Sequence, residues 1–262
     1  MKNLMLKMVM IGFFFSTIFS IHGQTNAVKK EVVMAKAMLM DVSLKSDSIG
    51  LFIIQDRLSK LLENKAVAPL AHYYTAFAKW QLSFITSDQE AMKALLNEAI
   101  SHLNTATELD SNFADAYGLA WMCYSPFFRL EPQRSYELAQ KSNPLLQKAL
   151  ALAPENPRVI LFDAMSIFYK PEQYGGSQEK GMERFLKATQ LSESSPVEDS
   201  IYPDWGKAIG YSWMGWAYLN HKQPNPQKAK TAFEKSLSFR PDFAFVKLNA
   251  IPTVEAQLNG KD

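Results

Sequence analysis

The sequence predicts an all-α fold of stacked antiparallel helix hairpins, and three observations carry that prediction. Apolar residues recur at mixed three- and four-residue spacing along most of the chain, the period of a helix that buries one face. Prolines and the Gly175-Gly176 pair interrupt these stretches where a chain of helices has to turn. A small–large–small spacing also returns four times: Ala99, Leu103 and Ala106 with Ser111 beyond; Ser142, Leu146 and Ala149 with Pro154; Gly181, Phe185 and Ala188 with Glu193; Ala229, Phe233 and Ser236 with Pro241. Small residues at the first and third positions let two helices approach closely, and the large one between them fills the gap.

The chain opens with Lys2 and Lys7 around an apolar core from Met8 to Ile21, then the small residue Gly23. This is the pattern of a secretory signal peptide, residues 1–23, cleaved after Gly23. The apolar run is short and broken by Ser16 and Ser20, unlike a membrane anchor. The single cysteine, Cys123, lies far downstream, so no lipid-attachment cysteine follows the signal. The processed chain is therefore expected to lack disulfides and transmembrane segments. Losing Lys2 and Lys7 takes the basic count from 28 to 26 against 26 acidic residues, leaving no excess charge for nucleic acid.

Residues 24–66 are expected to form an N-terminal helical hairpin. Val28, Val32, Val33, Met38, Leu39 and Val42 mark one helix over residues 27–44, and Phe52, Ile53, Leu58, Leu61 and Leu62 mark another over 49–62. Helical repeats fill residues 67–241. Pro69 starts an aromatic-rich helix, and a loop at Ser87 and Asp88 leads into a long partner that ends near Leu109. Further on, Pro154 and Pro157 bracket a helix start, and that helix must end before Pro171. Gly175 and Gly176 turn the chain, Ser177 is placed to cap the next helix, and Glu179 sits in its first turn. Residues 242–262 read as a C-terminal capping segment. Such hairpins bury their apolar faces only by stacking, and about 240 residues suffice to bury roughly 70% of the unfolded surface.

The repeated spacing resembles the tetratricopeptide repeat (TPR), W-x2-L-G-x2-Y, then A-x3-F, then P. Tyr117, Ala120, Trp121 and Tyr124 match its first half, as do Tyr211, Met214, Gly215 and Tyr218. The period departs from the family: Ala99, Ser142, Gly181 and Ala229 follow one another at 43, 39 and 48 residues, against roughly 34 in the family. The excess lies in longer connections at residues 125–134, 170–176, 192–205 and 220–226, so a compact, decorated right-handed stack is expected and not a regular superhelix. PENPR at 154–158, FYKPEQYGG at 168–176 and PDWG at 203–206 together resemble a group of secreted TPR-like proteins of Bacteroidetes bacteria, which have no assigned activity to carry over. A second likeness, in the small-residue stripe and the Gly-Gly loop, is to the periplasmic T component associated with TRAP transporters, also an all-helical repeat protein.

Catalytic signatures do not assemble. His72, His102 and His221 stand in no H-E-x-x-H or other short metal-ligand arrangement. Gly210, Ser212 and Gly215 make a spacing one residue too long for a nucleophile elbow, inside a helix where a strand-to-helix turn is required. Gly175 and Gly176 lack the Lys-Ser/Thr of a phosphate loop, Glu172 and Glu179 read as solvated charge, and Cys123 reads as a buried thiol with no histidine or cation near it in sequence. The expected protein is not an enzyme and needs no metal or cofactor.

In TPR proteins the first helices line a concave surface. That resemblance places Tyr74, Gln81, Met122, Arg158, Met165, Tyr169 and Trp216 on it, where aromatic rings and an arginine are types enriched at binding hot spots. The expected function is an exported, periplasmic or extracellular scaffold or adaptor that holds a protein or peptide partner in this groove. The alternative is a small-molecule-binding accessory component of a periplasmic transport system, with a closed pocket in place of the groove.

Overall fold

All twelve residues of the four small–large–small triplets are buried in the computed structural model, which describes residues 26–194 and 201–260. The leader read at residues 1–23 and the middle of the 192–205 connection lie outside the described residues. In chain order the helices are α1 (residues 26–44), α2 (Ser48–Ser59), α3 (Ala68–Ile85), α4 (Gln89–Leu109), α5 (Ala114–Tyr124), the short α6 (Phe127–Leu130), α7 (Ser135–Leu152), α8 (Pro157–Tyr169), α9 (Gln178–Ser194), α10 (Lys207–Leu219), α11 (Pro226–Phe239) and α12 (Ile251–Leu258). No strand occurs among the described residues, and none of these helices is long and apolar enough to cross a membrane.

The helix starts follow from polar residues placed one step ahead of them. Asp47 accepts from the Gly50 amide at 2.9 Å, Asp88 from Glu90 at 2.8 Å, Asn156 from Arg158 at 3.0 Å and Asn225 from Lys228 at 2.9 Å, each satisfying a donor that the first turn leaves open. Ser177 does the same for Lys180 at 3.3 Å, as its position predicted. At the other end of that hairpin Lys170 is extended, because Pro171 disfavours helix in the residue before it. Gly175 then adopts φ 88°, and a Cβ on Gly176 would stand 1.7 Å from the Lys170 carbonyl oxygen, so both turn positions require glycine.

The hairpins are α3 on α4, α5 on α7, α8 on α9 and α10 on α11; α2 meets α3, α4 meets α5, α9 meets α10, and α12 packs on α11. The fold is an all-helical, TPR-like repeat array. Its close approaches are real: a Cβ on Gly181 would come within 2.6 Å of Phe168 Cβ and 2.8 Å of Phe168 Cα. One continuous core runs from α1 to Ala232 on α11, and Leu219, Ala229, Phe233, Val246, Ala250 and Val254 form a second cluster under the C-terminal segment.

The phase of α2 differs from the sequence expectation. Leu51, Ile54 and Leu58 are its buried residues, while Phe52 and Ile53 are 61% and 59% exposed. With the cap at Asp47 fixing the start, positions 51, 54 and 58 keep the three-then-four step of one helix face. Phe52 and Ile53 fall off that face although their hydrophobicity equals that of their neighbours.

Candidate functional site

The long connection between α9 and α10 decides where a ligand surface is left. Its described part, residues 201–206, folds back among the first helices and is held there by polar bonds from three of them. Tyr74 on α3 donates to the Ile201 carbonyl at 2.7 Å, and the Trp205 indole N–H donates to the Tyr73 hydroxyl at 2.9 Å. Lys36 on α1 donates to the Tyr202 carbonyl at 3.2 Å and pairs with Asp204 at 2.8 Å. Arg158 on α8 donates to the Trp205 carbonyl at 3.4 Å and forms an ion pair with Asp115 on α5. Asn156 adds a 2.8 Å bond to the same carboxylate. The Trp205 ring meanwhile packs against Phe77 at 5.4 Å and Phe162 at 5.8 Å between centroids.

Four of the residues that sequence placed on an open concave face lie in the interior instead. Tyr74 is fully buried, and burial raises its phenol well above the ordinary tyrosine value. Met122 and Met165 are core residues at 3% and 4% exposure, and the Arg158 guanidinium is consumed by Asp115 and the Trp205 carbonyl. The Tyr74 hydroxyl and the Arg158 guanidinium serve to hold the loop. Cys123 is likewise fully enclosed, with burial pushing its thiol far up, so it is no nucleophile.

The other three, Gln81, Tyr169 and Trp216, come together around a cleft of about 370 Å³. Five separate stretches build it: the α1–α2 turn (Ser43, Leu44, Ser46), the C-terminal end of α3 (Trp80, Gln81, Phe84, Ile85), Tyr169 at the end of α8, one side of α10 (Ile209, Ser212, Trp213, Trp216, Asn220), and Phe243 with Phe245 ahead of α12. Seven of the fifteen lining residues are aromatic and none is charged. Trp80 packs edge-on against Phe84 at 5.2 Å and reaches the plug residue Trp205 at 6.5 Å, so this ring touches both the cleft and the filled groove. Trp216 is braced by Phe233 at 5.8 Å and by Phe245 at 5.9 Å.

Three of the lining residues carry a buried polar atom that is unsatisfied. The Trp80 indole N–H, the Trp216 indole N–H and the Ser43 hydroxyl are all buried without a hydrogen-bond partner among the described residues. Each such orphan costs roughly 1–3 kcal/mol relative to a paired group. Ser46, at φ 56°, is the single non-glycine residue in the left-handed region among those described, and it also lines the cleft. Tyr169 keeps 47% of its surface exposed, yet desolvation pushes its phenol up to about 12, so at neutral pH it is a protonated donor. On its far side Tyr169 also lines a smaller recess of about 280 Å³ that carries Lys170 and Lys222, the latter paired with Glu172.

Sequence reasoning missed Trp80, Phe84, Ile209, Trp213, Phe243 and Phe245 as lining residues. A signal for some of them existed in α10. Gly210, Met214 and Ala217 supply one buried stripe, and Ile209, Trp213, Trp216 and Asn220 make a second at steps of four, three and four. A helix in a stacked array needs apolar residues toward its neighbours, and a further aromatic stripe ending in an amide asks for another contact.

No family model matches the chain, and no curated protein is significantly similar to it. Among solved structures the chain is similar to the HusA haemophore from Porphyromonas gingivalis, with TM-score 0.59 and 23% identity over 75% of this chain and 94% of that one. It is also similar to a thermophilic TPR protein of Thermus thermophilus, with TM-score 0.60 and 13% identity over 87% of this chain and 98% of that one. At these identities the likeness establishes the shared helical-repeat fold.

Proposed function

We propose that the protein is an exported, non-enzymatic binding protein that carries a flat, largely apolar small molecule in the cleft between α3 and α10. The observation that carries this reading is the cleft itself: its volume of about 370 Å³ lies in the range of small-molecule sites, and its walls are aromatic rings from distant parts of the chain. The small-molecule alternative thus gains over the peptide groove, because the groove that a peptide would follow is filled by residues 201–206. The haemophore neighbour supports both export and a ligand of this shape, and makes tetrapyrroles the first class to try. No His, Cys or Met lines the cleft, and Tyr169 is protonated at neutral pH, so a tetrapyrrole would be held by ring contacts and not by its iron.

Titration with protoporphyrin IX, with and without iron, tests this. Saturable quenching of tryptophan fluorescence is expected with both forms at similar affinity, weakened at least about tenfold by Trp216→Ala, the loss of one well-packed aromatic contact surface. Absence of saturable binding by either form would remove the tetrapyrrole class. The protein-partner reading keeps one observation in its favour, the exposed rim of Phe84, Ile85, Tyr169 and Phe245. A partner captured from periplasmic extract by the wild type and lost in Tyr169→Ala and Gln81→Ala, with no porphyrin binding, would establish that reading. Export is checked by intact mass of protein from the native host, with loss of the chain through Gly23 expected.

A further inference from the structure

His72 on α3 and His102 on α4 stand 30 residues apart in the chain, and the α3–α4 hairpin brings their Nδ1 atoms to 2.9 Å. Packing on both sides fixes the pair: Ala71 and Tyr73 flank His72, Leu103 follows His102, and all three are fully buried. The rings themselves are half-buried, with centroids 5.1 Å apart and planes inclined at 46°. At neutral pH both are uncharged, since desolvation lowers each of them, His102 to about 4. Two neutral imidazoles facing through Nδ1 hold one proton between them, one ring donating and the other accepting. Each Nδ1 has the other as its partner, and neither Nε2 is a buried unpaired atom, so both Nε2 atoms reach solvent.

Neutral imidazole is also the side chain that late transition metals take most often. Two nitrogens about 2.0–2.1 Å from one ion lie about 2.9 Å apart when they meet it at a right angle, and about 3.3 Å apart at the tetrahedral angle. The spacing of His72 and His102 fits the right-angle arrangement of tetragonal ions. We infer that His72 and His102 form a two-histidine site for a divalent late transition metal, Cu(II) ahead of Zn(II), which clips α3 to α4 in place of the shared proton. Seating the ion requires both rings to tip about their side-chain bonds so that the two Nδ1 lone pairs converge on one point. The displaced Nδ1 proton passes through water to Nε2 of the same ring, so both ligands stay neutral. No third His, Cys, Asp or Glu completes a metal-holding group among the described residues, so water fills the remaining positions and the ion exchanges readily. Glu63 and Glu98 are the nearby carboxylates, and the nearby cation, Lys79, is paired with Glu98 at 2.5 Å. The site is independent of the cleft, because Trp80 lies eight residues further along α3, about 12 Å away along its axis.

Isothermal titration of the full processed chain, free of any affinity tag, with Cu(II) sulfate and with Zn(II) sulfate tests the site. One Cu(II) per chain is expected, bound at least about tenfold more tightly than Zn(II). His72→Gln and His102→Gln should each weaken Cu(II) binding at least about tenfold, since losing a ligand costs no less than losing a group that orients one. His221→Gln removes the remaining histidine of the processed chain and should leave the affinity unchanged. A second readout uses the wild-type protein, so no variant has to fold. In protein labelled with ¹⁵N-histidine, Zn(II) should shift the Nδ1 resonances of His72 and His102 and leave those of His221 in place. Wild-type affinity in His102→Gln, shifts confined to His221, or no saturable one-to-one binding of either ion would overturn the site, and the pair would stand as a hydrogen bond between two helices. Zn(II) bound as tightly as Cu(II) would overturn the right-angle geometry.

Discussion

Two regions lined by first helices, the groove interior around Tyr73, Tyr74 and Trp205 and the cleft around Trp80 and Trp216, are built from the same residue types and end in opposite states. In the interior the polar groups have found partners: Tyr74 with Ile201, Trp205 with Tyr73, and Arg158 with Asp115. In the cleft, two indoles and a serine have found none among the described residues. Aromatic composition therefore does not distinguish the filled interior from the open cleft; the two differ in how their polar groups are paired. An unpaired buried donor is tolerated by folding only at a cost, which the interior avoids by pairing its donors with the connection at residues 201–206.

Breaking the filled region should give the largest effects. Arg158→Ala leaves the Asp115 carboxylate buried without its cation and removes a bond to the plug, so unfolding free energy in urea should fall by about 3–5 kcal/mol. A loss below about 1 kcal/mol would mean that the loop is not anchored through this pair. Trp205→Ala deletes the ring between Phe77 and Phe162 and is expected to cost about 3–5 kcal/mol by the same measurement. In the repeat scaffold, Gly181→Ala should cost about 1–3 kcal/mol, because the new methyl meets Phe168 backbone as well as side chain. Unchanged stability there would show that α8 and α9 can separate freely.

Acid attacks the interior from outside. His72 and His102 face each other at 2.9 Å between Nδ1 atoms on α3 and α4, one residue from Tyr73, with Glu63, Glu98 and Lys79 as the charged neighbours. Desolvation lowers His72, and desolvation with His72 and Lys79 lowers His102 to about 4, from 6.5. The unfolded chain then takes up protons that the folded chain refuses, so stability falls as pH drops from about 6.5 toward about 4 and is unaffected by this pair above that window. Denaturation curves across this range should show the slope, and His102→Gln should flatten it. Smallest of all in stability is Phe84→Ser at the cleft rim, half exposed and expected within about 0.5 kcal/mol of wild type. It sharpens the comparison by lowering porphyrin affinity while the thermal midpoint stays in place.

Much of the scaffold was legible in sequence because its determinants are local. Asp88, Asn156 and Ser177 cap the helices they precede, Pro171 ends α8, and the four triplets face helix partners, since 3.6-residue periodicity and capping act within a few residues. The candidate site was legible only in part. Gln81, Tyr169 and Trp216 reach the cleft, while Tyr74, Met122, Arg158 and Met165 point to the interior although nothing in their own helices distinguishes them.

For Tyr74 and Arg158 the difference is made by the connection at residues 201–206. By itself the sequence determined the helices, their hairpins and the excess length between them, because each is written in neighbouring residues. Where that excess length goes was decided only in three dimensions: Tyr74 meets Ile201 across 127 residues and Tyr73 meets Trp205 across 132. Such pairings leave no periodic trace in either partner, since they depend on shape and unpaired donors that exist only once the array has stacked. The same is true of the cleft, whose walls come from α1, α3, α8, α10 and the segment before α12 and meet only once the array has stacked.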